Sequence, residues 1–478
     1  MWKSICDSSD GRTGEDTRLD FLMVSAYNER TKLNQNAEKN EEESVMRINR
    51  VKLVNYRCFK ELELELHDSF TVLVGNNGSG KSTILDGVAL GLASYFVGMN
   101  GDSSRGIDKS DVRVETYAIG SRLERQPQYP ARIECSGELC GKKIDWSRSK
   151  NTEKGTMTYG DAAELTAIAK ALADGIKNGD TSVELPVLAY YSTARLWAKK
   201  KEKRESVKLD LNSRFTGYLD CLDSMNDEKL MRRWLEQMTY IELQGGEEIP
   251  ELTAVKQAIL ACYNASGNVG EMGKVDKCAF DVKSGEIEIT YTLSDGKKEI
   301  HTLSEMSDGY RNMLSMVADI AYRMALLNPQ FLGEVTKKTS GVVLIDEIDL
   351  HLHPAWQRHI VSALKEIFPK VQFIVSTHAP SVISSVPKEE IVVLENHQVR
   401  RAELPTYGKD ANSILKTVMD VPERPDPVAE KLKDFYECLS RNDLEQARRI
   451  VDEIRQVLGE DDPKVVGAET ALELEAMV

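Results

Sequence analysis

Eight consecutive residues carry the clearest chemical signal in this 478-residue sequence, because their types and spacing suit a phosphate group. The run GNNGSGKS, residues 75–82, matches G-x-x-x-x-G-K-[ST] and lies between an apolar strand, FTVLV, and an apolar helix. Glycines at this spacing let backbone N–H groups surround an anion at a helix start. The predicted nucleotide-binding residues are Asn76, Asn77, Gly78, Ser79, Gly80, Lys81, Ser82 and Thr83. Within them, Lys81 would contact the β- and γ-phosphates and the Ser82 hydroxyl would bind Mg²⁺.

A pair of carboxylates follows a second apolar strand, much later in the chain. Residues 342–345 are aliphatic, and Asp346 and Glu347 come directly after them. Phosphoryl transfer needs one acid near Mg²⁺ and another group that positions the attacking nucleophile. We therefore predict that Asp346 binds Mg²⁺ and that Glu347 is catalytic. The alternative is a structural pair that only caps the next helix.

Histidines provide two further candidates of different kinds. His378 ends the apolar strand VQFIVSTH, where its imidazole could reach a γ-phosphate, and we predict that it is catalytic rather than a core histidine. His351 and His353 suggest a metal site, but no third ligand is near them in the sequence. For these two histidines we favour a loop at a subunit interface.

The pattern of apolar residues predicts an α/β protein built from several segments. Residues 1–45 are polar and are predicted to form a flexible N-terminal extension. Residues 46–100 and 300–405 show the strand–loop–helix patterns that contain the motifs above, so we assign both to one split head. Residues 101–299 mix helices and strands and are predicted to form an inserted α+β region. Residues 406–478 are predicted to be a helical C-terminal appendage.

Composition limits the function classes that fit this chain. The net charge is −15, which argues against a surface that binds nucleic acid everywhere but permits a local basic groove. No run of about 18 apolar residues indicates a membrane span, and the N-terminus lacks the features of a signal peptide. The eight cysteines are scattered without a CxxC pair, which predicts reduced thiols. We therefore expect a cytoplasmic protein with no membrane partner.

Taken together, the motifs resemble those of the ABC-type ATPase heads found in SMC, RecF and OLD-like proteins. GNNGSGKST is similar to their Walker A motif, VVLIDEID to their Walker B motif, and VSTHAP to their switch-histidine segment. The resemblance implies ATP and Mg²⁺ as cofactors, and a signature helix that begins near LSEMSDGYRNML. Ser307 and Gly309 match the signature and would contact nucleotide, whereas Asp308 and Tyr310 stand where Gly and Gln are commoner. Two segments qualify for the family's Q-loop, residues 108–113 and 126–128.

A narrower resemblance covers most of the chain from Met46 onward. The segments VNYRCF, DGYRNML, DEIDLHLHPAWQR and TYGKDANSIL are similar to the PtuA family of ATPases, which occurs in Septu antiphage systems and some retrons. This resemblance implies an ATPase that forms a homodimer or a higher homo-oligomer and regulates an HNH-type nuclease. The alternatives are a DNA-repair or loading ATPase similar to RecF and, less well matched, a self-contained OLD-like nuclease.

Two surfaces remain open to interpretation from the sequence. The basic run at residues 199–208 could contact a phosphate backbone or could be a solvated face, so direct DNA binding is unresolved. In the C-terminal appendage, an apolar stripe exceeds what one helical hairpin can bury on itself. The stripe consists of Leu432, Phe435, Leu439, Ile450, Val451 and Ile454. We expect it to bind either the effector or the chain's own head.

Overall fold

A computed structural model describes residues 46–99, 106–155, 158, 160–193, 213–223, 229–265, 274–293, 295–421 and 424–476. The predicted extension at 1–45 and the basic run at 199–208 lie outside these ranges.

The strands are β1 (Met46–Tyr56), β2 (Phe59–Glu65), β3 (Phe70–Gly75), β4 (Val114–Ile119), β5 (Arg122–Pro127), β6 (Ala131–Leu139), β7 (Lys142–Lys150), β8 (Val187–Tyr191), β9 (Lys274–Asp281), β10 (Glu286–Thr292), β11 (Lys298–Thr302), β12 (Gly341–Ile345), β13 (Val371–Thr377), β14 (Ile391–Glu395) and β15 (Gln398–Arg401).

The α-helices include both long elements and single turns. They are α1 (Lys81–Leu92), α2 (Ser94–Gly98), α3 (Ala163–Lys177), α4 (Lys229–Gly245), α5 (Pro250–Asn264), α6 (Asp308–Leu327), α7 (Val335–Lys338), α8 (Pro354–Gln357), α9 (Ile360–Ile367), α10 (Pro380–Ile383), α11 (Ala411–Thr417), α12 (Asp426–Ser440), α13 (Leu444–Leu458) and α14 (Pro463–Ala476).

A six-stranded sheet in the order β15-β14-β3-β13-β12-β8 organises the head. Its strands pair in parallel except for β15, which runs antiparallel at one edge. Every residue of β3, β8, β12 and β13 is buried, as expected for parallel strands covered on both faces. Because the strands are parallel, the carboxyl ends of β3, β12 and β13 lie at one edge, and this edge carries the predicted motifs.

A second, antiparallel sheet in the order β2-β1-β6-β7 packs against α1. Two glycines of α1 permit this close approach: a Cβ on Gly87 would lie 2.8 Å from Leu53, and one on Gly91 would lie 2.5 Å from the Cys135 sulfur. The buried Gln372 on β13 ties the two sheets together. Its side chain accepts a hydrogen bond from Ile48 N at 2.8 Å and donates one to Ile48 O at 2.8 Å.

The stretch predicted as an insertion, residues 101–299, is distributed over the whole head. It contributes β6 and β7 to the antiparallel sheet and β8 to the edge of the parallel sheet. It also contains the β4–β5 hairpin, helices α3 to α5, and two strands of the sheet β11-β10-β9. The apolar run of β8, VLAYY, explains its place in the head, since only a strand covered on both faces needs five buried residues in succession.

The 20-residue helix α6 packs against β8 of the parallel sheet and is buried over most of its length. Two charged residues inside it form an ion pair, with Arg323 Nε 2.8 Å from Asp319 Oδ2. Tyr191 at the end of β8 donates a hydrogen bond of 2.7 Å to the same carboxylate oxygen. This buried contact fixes α6 to the edge of the sheet that carries Asp346.

The C-terminal region contains two different kinds of helix. Ile414 of α11 and Val418 beyond it belong to the core of the head. By contrast, α12, α13 and α14 form a separate apolar cluster, to which the predicted stripe belongs. The expectation that this stripe needs an effector or the head to cover it is wrong, because α14 supplies Val465, Ala468 and Leu472 against it. The predicted fold class is confirmed as an α/β P-loop head with further α+β elements and a helical C-terminal appendage. Within the described residues, none of the helices combines the length and apolarity needed to cross a bilayer.

Candidate active site

The predicted phosphate-binding loop lies between β3 and α1. Gly78 and Gly80 adopt φ values of 80° and 106°, a left-handed backbone that suits glycine. Gly80 also lacks room for a side chain, since a Cβ would lie 2.4 Å from the Phe59 ring. Lys81 Nζ donates hydrogen bonds to Gly75 O at 2.8 Å and Asn76 O at 3.2 Å. The loop therefore curls around the lysine amine at the start of α1.

Two features of the loop fit a bound polyphosphate. The Ser79 hydroxyl is buried and has no hydrogen-bond partner among the described residues. A buried polar group of this kind is costly unless something satisfies it, and a phosphate oxygen would do so. Burial lowers the pKa of Lys81, and the negative charges of Asp346 and Glu347 partly oppose this effect. An anion at the loop would likewise favour the charged amine.

The two predicted carboxylates lie directly after β12, and the neighbouring strand β13 holds them. Ser376 Oγ donates a hydrogen bond of 2.6 Å to Asp346 Oδ1 and accepts one of 2.8 Å from Glu347 N. Glu347 itself has a φ of 51°, a left-handed conformation that is uncommon for a residue with a side chain. The backbone of Asp346 is fixed from the other side, where its N–H donates to Tyr191 O at 2.8 Å.

His378 follows the end of β13 and is half-buried beside the same acids. Burial lowers its pKa, and the nearby Lys81 charge lowers it further, while Asp349 and Asp346 oppose the shift. The imidazole is therefore neutral at pH 7 and has one ring N–H to donate. Because the folded state resists protonation of this ring, the His378 contribution to the free energy of unfolding falls as the pH drops below about 6.5.

These elements enclose a cavity of about 300 Å³. Its lining consists of Arg57, Cys58, Asn77, Gly78, Gly80, Lys81, Ser82, Thr83, Asp346, Glu347 and His378. The structure thus brings together most of the residues predicted from the motifs. Asn76 and Ser79 belong to the same loop, where Ser79 N donates to Asn76 O at 3.1 Å. Their roles in binding and catalysis remain predictions.

The two signature residues lie outside the lining of this cavity. Ser307 is the exposed residue at the N-terminus of α6. Gly309 is buried against the loop after Glu347, where an added Cβ would lie 2.2 Å from His351 O. Their predicted contact with nucleotide is therefore not made within the cavity of one chain.

Sequence reasoning missed one part of the cavity lining, Arg57 and Cys58 in the turn between β1 and β2. Arg57 in this turn forms ion pairs with Asp86 on α1 and with Asp111, the latter at 2.8 Å. Nothing in the spacing of this turn connects it to the phosphate-binding loop some twenty residues later in the sequence. Asp111 also belongs to the first Q-loop candidate, whereas Gln126 of the second lies on the exposed strand β5. Neither candidate lines the cavity.

The donor set of the cavity suits Mg²⁺. The hydroxyl of Ser82 and the carboxylate of Asp346 both line it, and hard divalent cations prefer oxygen ligands. Among the described residues, no group of three or more His, Cys, Asp or Glu side chains could hold a metal ion by itself. The arrangement fits an ion that takes its remaining ligands from phosphate oxygens and water, as Mg²⁺ does in nucleotide sites.

Comparison with known proteins agrees with this chemistry. Two family models match the chain, one described as an AAA domain over residues 50–264 and one as an AAA ATPase domain over residues 247–383. The probable ATPase of retron Ec83 from Escherichia coli is 26% identical over 91% of this chain and 87% of its own length. That of retron Vc95 from Vibrio cholerae is 26% identical over 84% of this chain and 85% of its own length.

A third relative and one solved structure match less of the molecule. The Septu protein PtuA of Bacillus thuringiensis is 30% identical over 34% of this chain and 43% of its own length. The SMC head domain from Thermotoga maritima overlaps 75% of this chain and 100% of that chain, with 15% identity and a TM-score of 0.40. Because that TM-score is low, the fold assignment rests on the strand order and the loop geometry described above.

Proposed function

We propose that this ATPase, which is homologous to retron ATPases and to the Septu PtuA proteins, is of the ABC type and hydrolyses MgATP to control a separate nuclease in antiphage defence. Lys81, Asp346, Glu347 and His378 line a single cavity, and this convergence is the observation that carries the proposal. The four groups come from three different strand ends, so their meeting reflects the parallel sheet rather than any local sequence pattern.

In this proposal each side chain has a separate task. The Lys81 amine leaves the carbonyls of Gly75 and Asn76 and donates to the β- and γ-phosphates, as charge-assisted bonds are the stronger ones. Glu347 accepts a proton from the attacking water, and neutral His378 donates its ring N–H to the γ-phosphate. Mg²⁺ held by Ser82 and Asp346 would supply further positive charge to the phosphates.

We further propose that turnover is slow and controlled, and the contacts of Ser376 support this. One hydroxyl holds the Asp346 carboxylate and the Glu347 backbone, so the proposed metal ligand and the proposed base share a support. Glu347 is also the residue with the left-handed backbone, whose cost the surrounding structure must offset. A small change in the loop after Glu347 would thus alter the position of its carboxylate.

The resemblance to the PtuA family supports a separate effector. We propose that the effector is an HNH-type nuclease, that the ATPase works as a homo-oligomer, and that the complex acts in the cytoplasm. A self-contained OLD-like nuclease would need strand-borne acids beyond His378. In the described residues after β15, all regular elements are helices, so this alternative has no support there.

The binding part of the proposal predicts a strong effect of Lys81→Ala. Removing the amine should reduce MgATP affinity by about 100-fold or more, because hydrogen bonds to charged groups are worth about 1.5–3 kcal/mol each. Isothermal titration calorimetry measures this change, with Lys170→Ala on the exposed face of α3 as a matched control. Equal affinities for the two variants would refute the phosphate-loop assignment.

The regulatory part is tested with the protein copurified with the product of a neighbouring nuclease gene. DNA cleavage should change by more than tenfold between ATP-bound and nucleotide-free complex. The Lys81→Ala complex should not respond to ATP. Cleavage by the isolated ATPase would instead favour the OLD-like alternative, and cleavage that ignores ATP would refute gating while leaving the ATPase intact.

A further inference from the structure

The first turn of α6 packs directly on the segment that follows Glu347. The His351 carbonyl occupies the position next to Gly309 where any larger residue would place its Cβ, at 2.2 Å. One residue later, the rings of Tyr310 and Trp356 contact each other with centroids 4.7 Å apart and an interplanar angle of 53°. Two successive residues of α6 therefore touch the loop and the short helix that come after the catalytic acid.

The contact between Tyr310 and Trp356 lies against the core and is supported by a third aromatic ring. Trp356 is 3% exposed, and the ring of Tyr263 on α5 also contacts Tyr310, with ring centroids 5.6 Å apart. The Trp356 indole N–H is buried without an acceptor among the described residues. Ring packing, rather than a hydrogen bond, is what holds this indole in place, and tilted ring pairs are favourable at such distances.

Backbone hydrogen bonds connect the same segment to Glu347. Leu350 N donates to Glu347 O at 3.1 Å, and Leu352 N donates to Asp349 O at 3.0 Å. Asp349 in turn accepts a bond of 2.5 Å from Thr377 Oγ1 on β13. A shift of residues 349–353 would therefore move the carbonyl of Glu347, whose left-handed backbone depends on these neighbours.

We propose that Tyr310 and Trp356 are positioning residues that join the first turn of α6 to residues 349–353. A contact made at the exposed Ser307 is thereby transmitted to the Glu347 carboxylate. The inference rests on the proposed function, in which the ATPase works as a homo-oligomer, and it requires that Ser307 meets the nucleotide held by a second subunit. It also gives Tyr310 a reason to stand where the resembled signature more often has Gln: only a ring can pack on Trp356 and Tyr263.

The pair should affect turnover and cooperativity but not the first binding step. Tyr310→Gln and Trp356→Leu should each lower the kcat of ATP hydrolysis by about three- to tenfold, the range expected for a ring pair. They should also reduce the Hill coefficient for ATP toward 1, because each subunit would no longer sense its neighbour's nucleotide. MgATP affinity measured by calorimetry at low protein concentration should stay unchanged, since neither residue lines the cavity.

Phenylalanine substitutions are the matched controls. Tyr310→Phe and Trp356→Phe keep a ring at each position, and neither removes a hydrogen bond on which the inference depends, so both should retain wild-type kcat and Hill coefficient. The double variant Tyr310→Gln/Trp356→Leu should lose little more activity than either single variant, because both remove the same contact.

Three outcomes decide between the inference and its premise. A wild-type protein that does not hydrolyse ATP overturns the proposed function itself. An active wild type with an active, cooperative Tyr310→Gln variant overturns only the inference, as do losses that multiply in the double variant. Tyr310 is partly exposed in the first turn of its helix, so Tyr310→Gln decides the question even if Trp356→Leu fails to fold.

Discussion

At the scale of single residues, Glu347 is the group whose chemistry can be isolated most cleanly. Glu347→Gln should keep MgATP affinity while turnover falls by about 100- to 10,000-fold, because an amide cannot accept the proton of the attacking water. The substitution preserves size, and the backbone bond from Glu347 N to Ser376 Oγ does not depend on the carboxylate. Calorimetry and phosphate release measure the two parts separately.

A surface glutamate on α9 provides the control for this change. Glu366 is exposed and lies outside the cavity, so Glu366→Gln should match the wild type in both measurements. Normal ATP turnover by Glu347→Gln would show that this carboxylate only supports the local backbone. In that case the general base would have to be sought elsewhere along the cavity lining.

The residues of this site differ in how far the sequence could reveal them. Lys81, Asp346 and Glu347 stand in short motifs whose local strand–loop context is enough to suggest their chemistry. Arg57 and Ser376 act through neighbours distant in the chain, namely Asp86 and Asp346. Only the pairing of strands and the docking of α1 bring those partners together, and no periodic pattern encodes either event.

At the scale of elements, it was easier to predict that a segment forms a strand than to predict which sheet that strand joins. The apolar run at residues 342–345 identifies a strand, and β12 forms where it is predicted. By contrast, β8 was placed in the insertion because it lies far from the motifs in sequence. Its five buried residues pair in parallel with β12. Long-range pairing of this kind depends on tertiary packing that a single sequence does not display.

The C-terminal helices show the same limit and lead to a test. A two-helix reading left an apolar stripe uncovered, whereas a third helix, α14, closes a separate core around it. Truncation after Val421 should therefore leave the melting temperature and ATP turnover of the head within experimental error of the full chain. The exposed residues of the bundle, such as Val457 and Leu474, then remain available for contacts that the head does not need.

Truncation after Tyr407 is the informative comparison. It also removes α11, whose Ile414 is fully buried in the core of the head. Loss of a buried isoleucine typically costs about 2–5 kcal/mol, so this shorter chain should melt several degrees lower. Equal melting temperatures for the two truncations would contradict the boundary between the head core and the appendage.

At the scale of the whole molecule, one chain does not place all the elements of an ABC-type ATP site in its own cavity. The cavity contains the phosphate loop, the two acids and His378, while Ser307 lies outside its lining at the start of α6. The N-terminus of a long helix offers unpaired N–H groups and a positive dipole end, both suited to a phosphate. A symmetric pair of chains would bring each Ser307 to the other chain's cavity and form two composite sites.

Mixing two inactive variants tests this arrangement. Lys81→Ala disables the phosphate loop, and Ser307→Arg places a bulky side chain at the start of α6, so each homodimer should be inactive. Their heterodimer contains one site in which an intact loop faces an intact α6. If chains pair at random and each active site works alone, the mixture should regain up to about a quarter of wild-type turnover.

Lys81→Ala mixed with Glu347→Gln is the matched control, because those two lesions fall in different cavities and leave neither site whole. Phosphate release in the first mixture but not the second would establish that α6 acts across the interface. If fluorescence exchange shows that heterodimers form and neither mixture recovers, the composite site is refuted, whereas a Ser307→Arg homodimer that hydrolyses ATP normally would show that Ser307 has no part in the reaction.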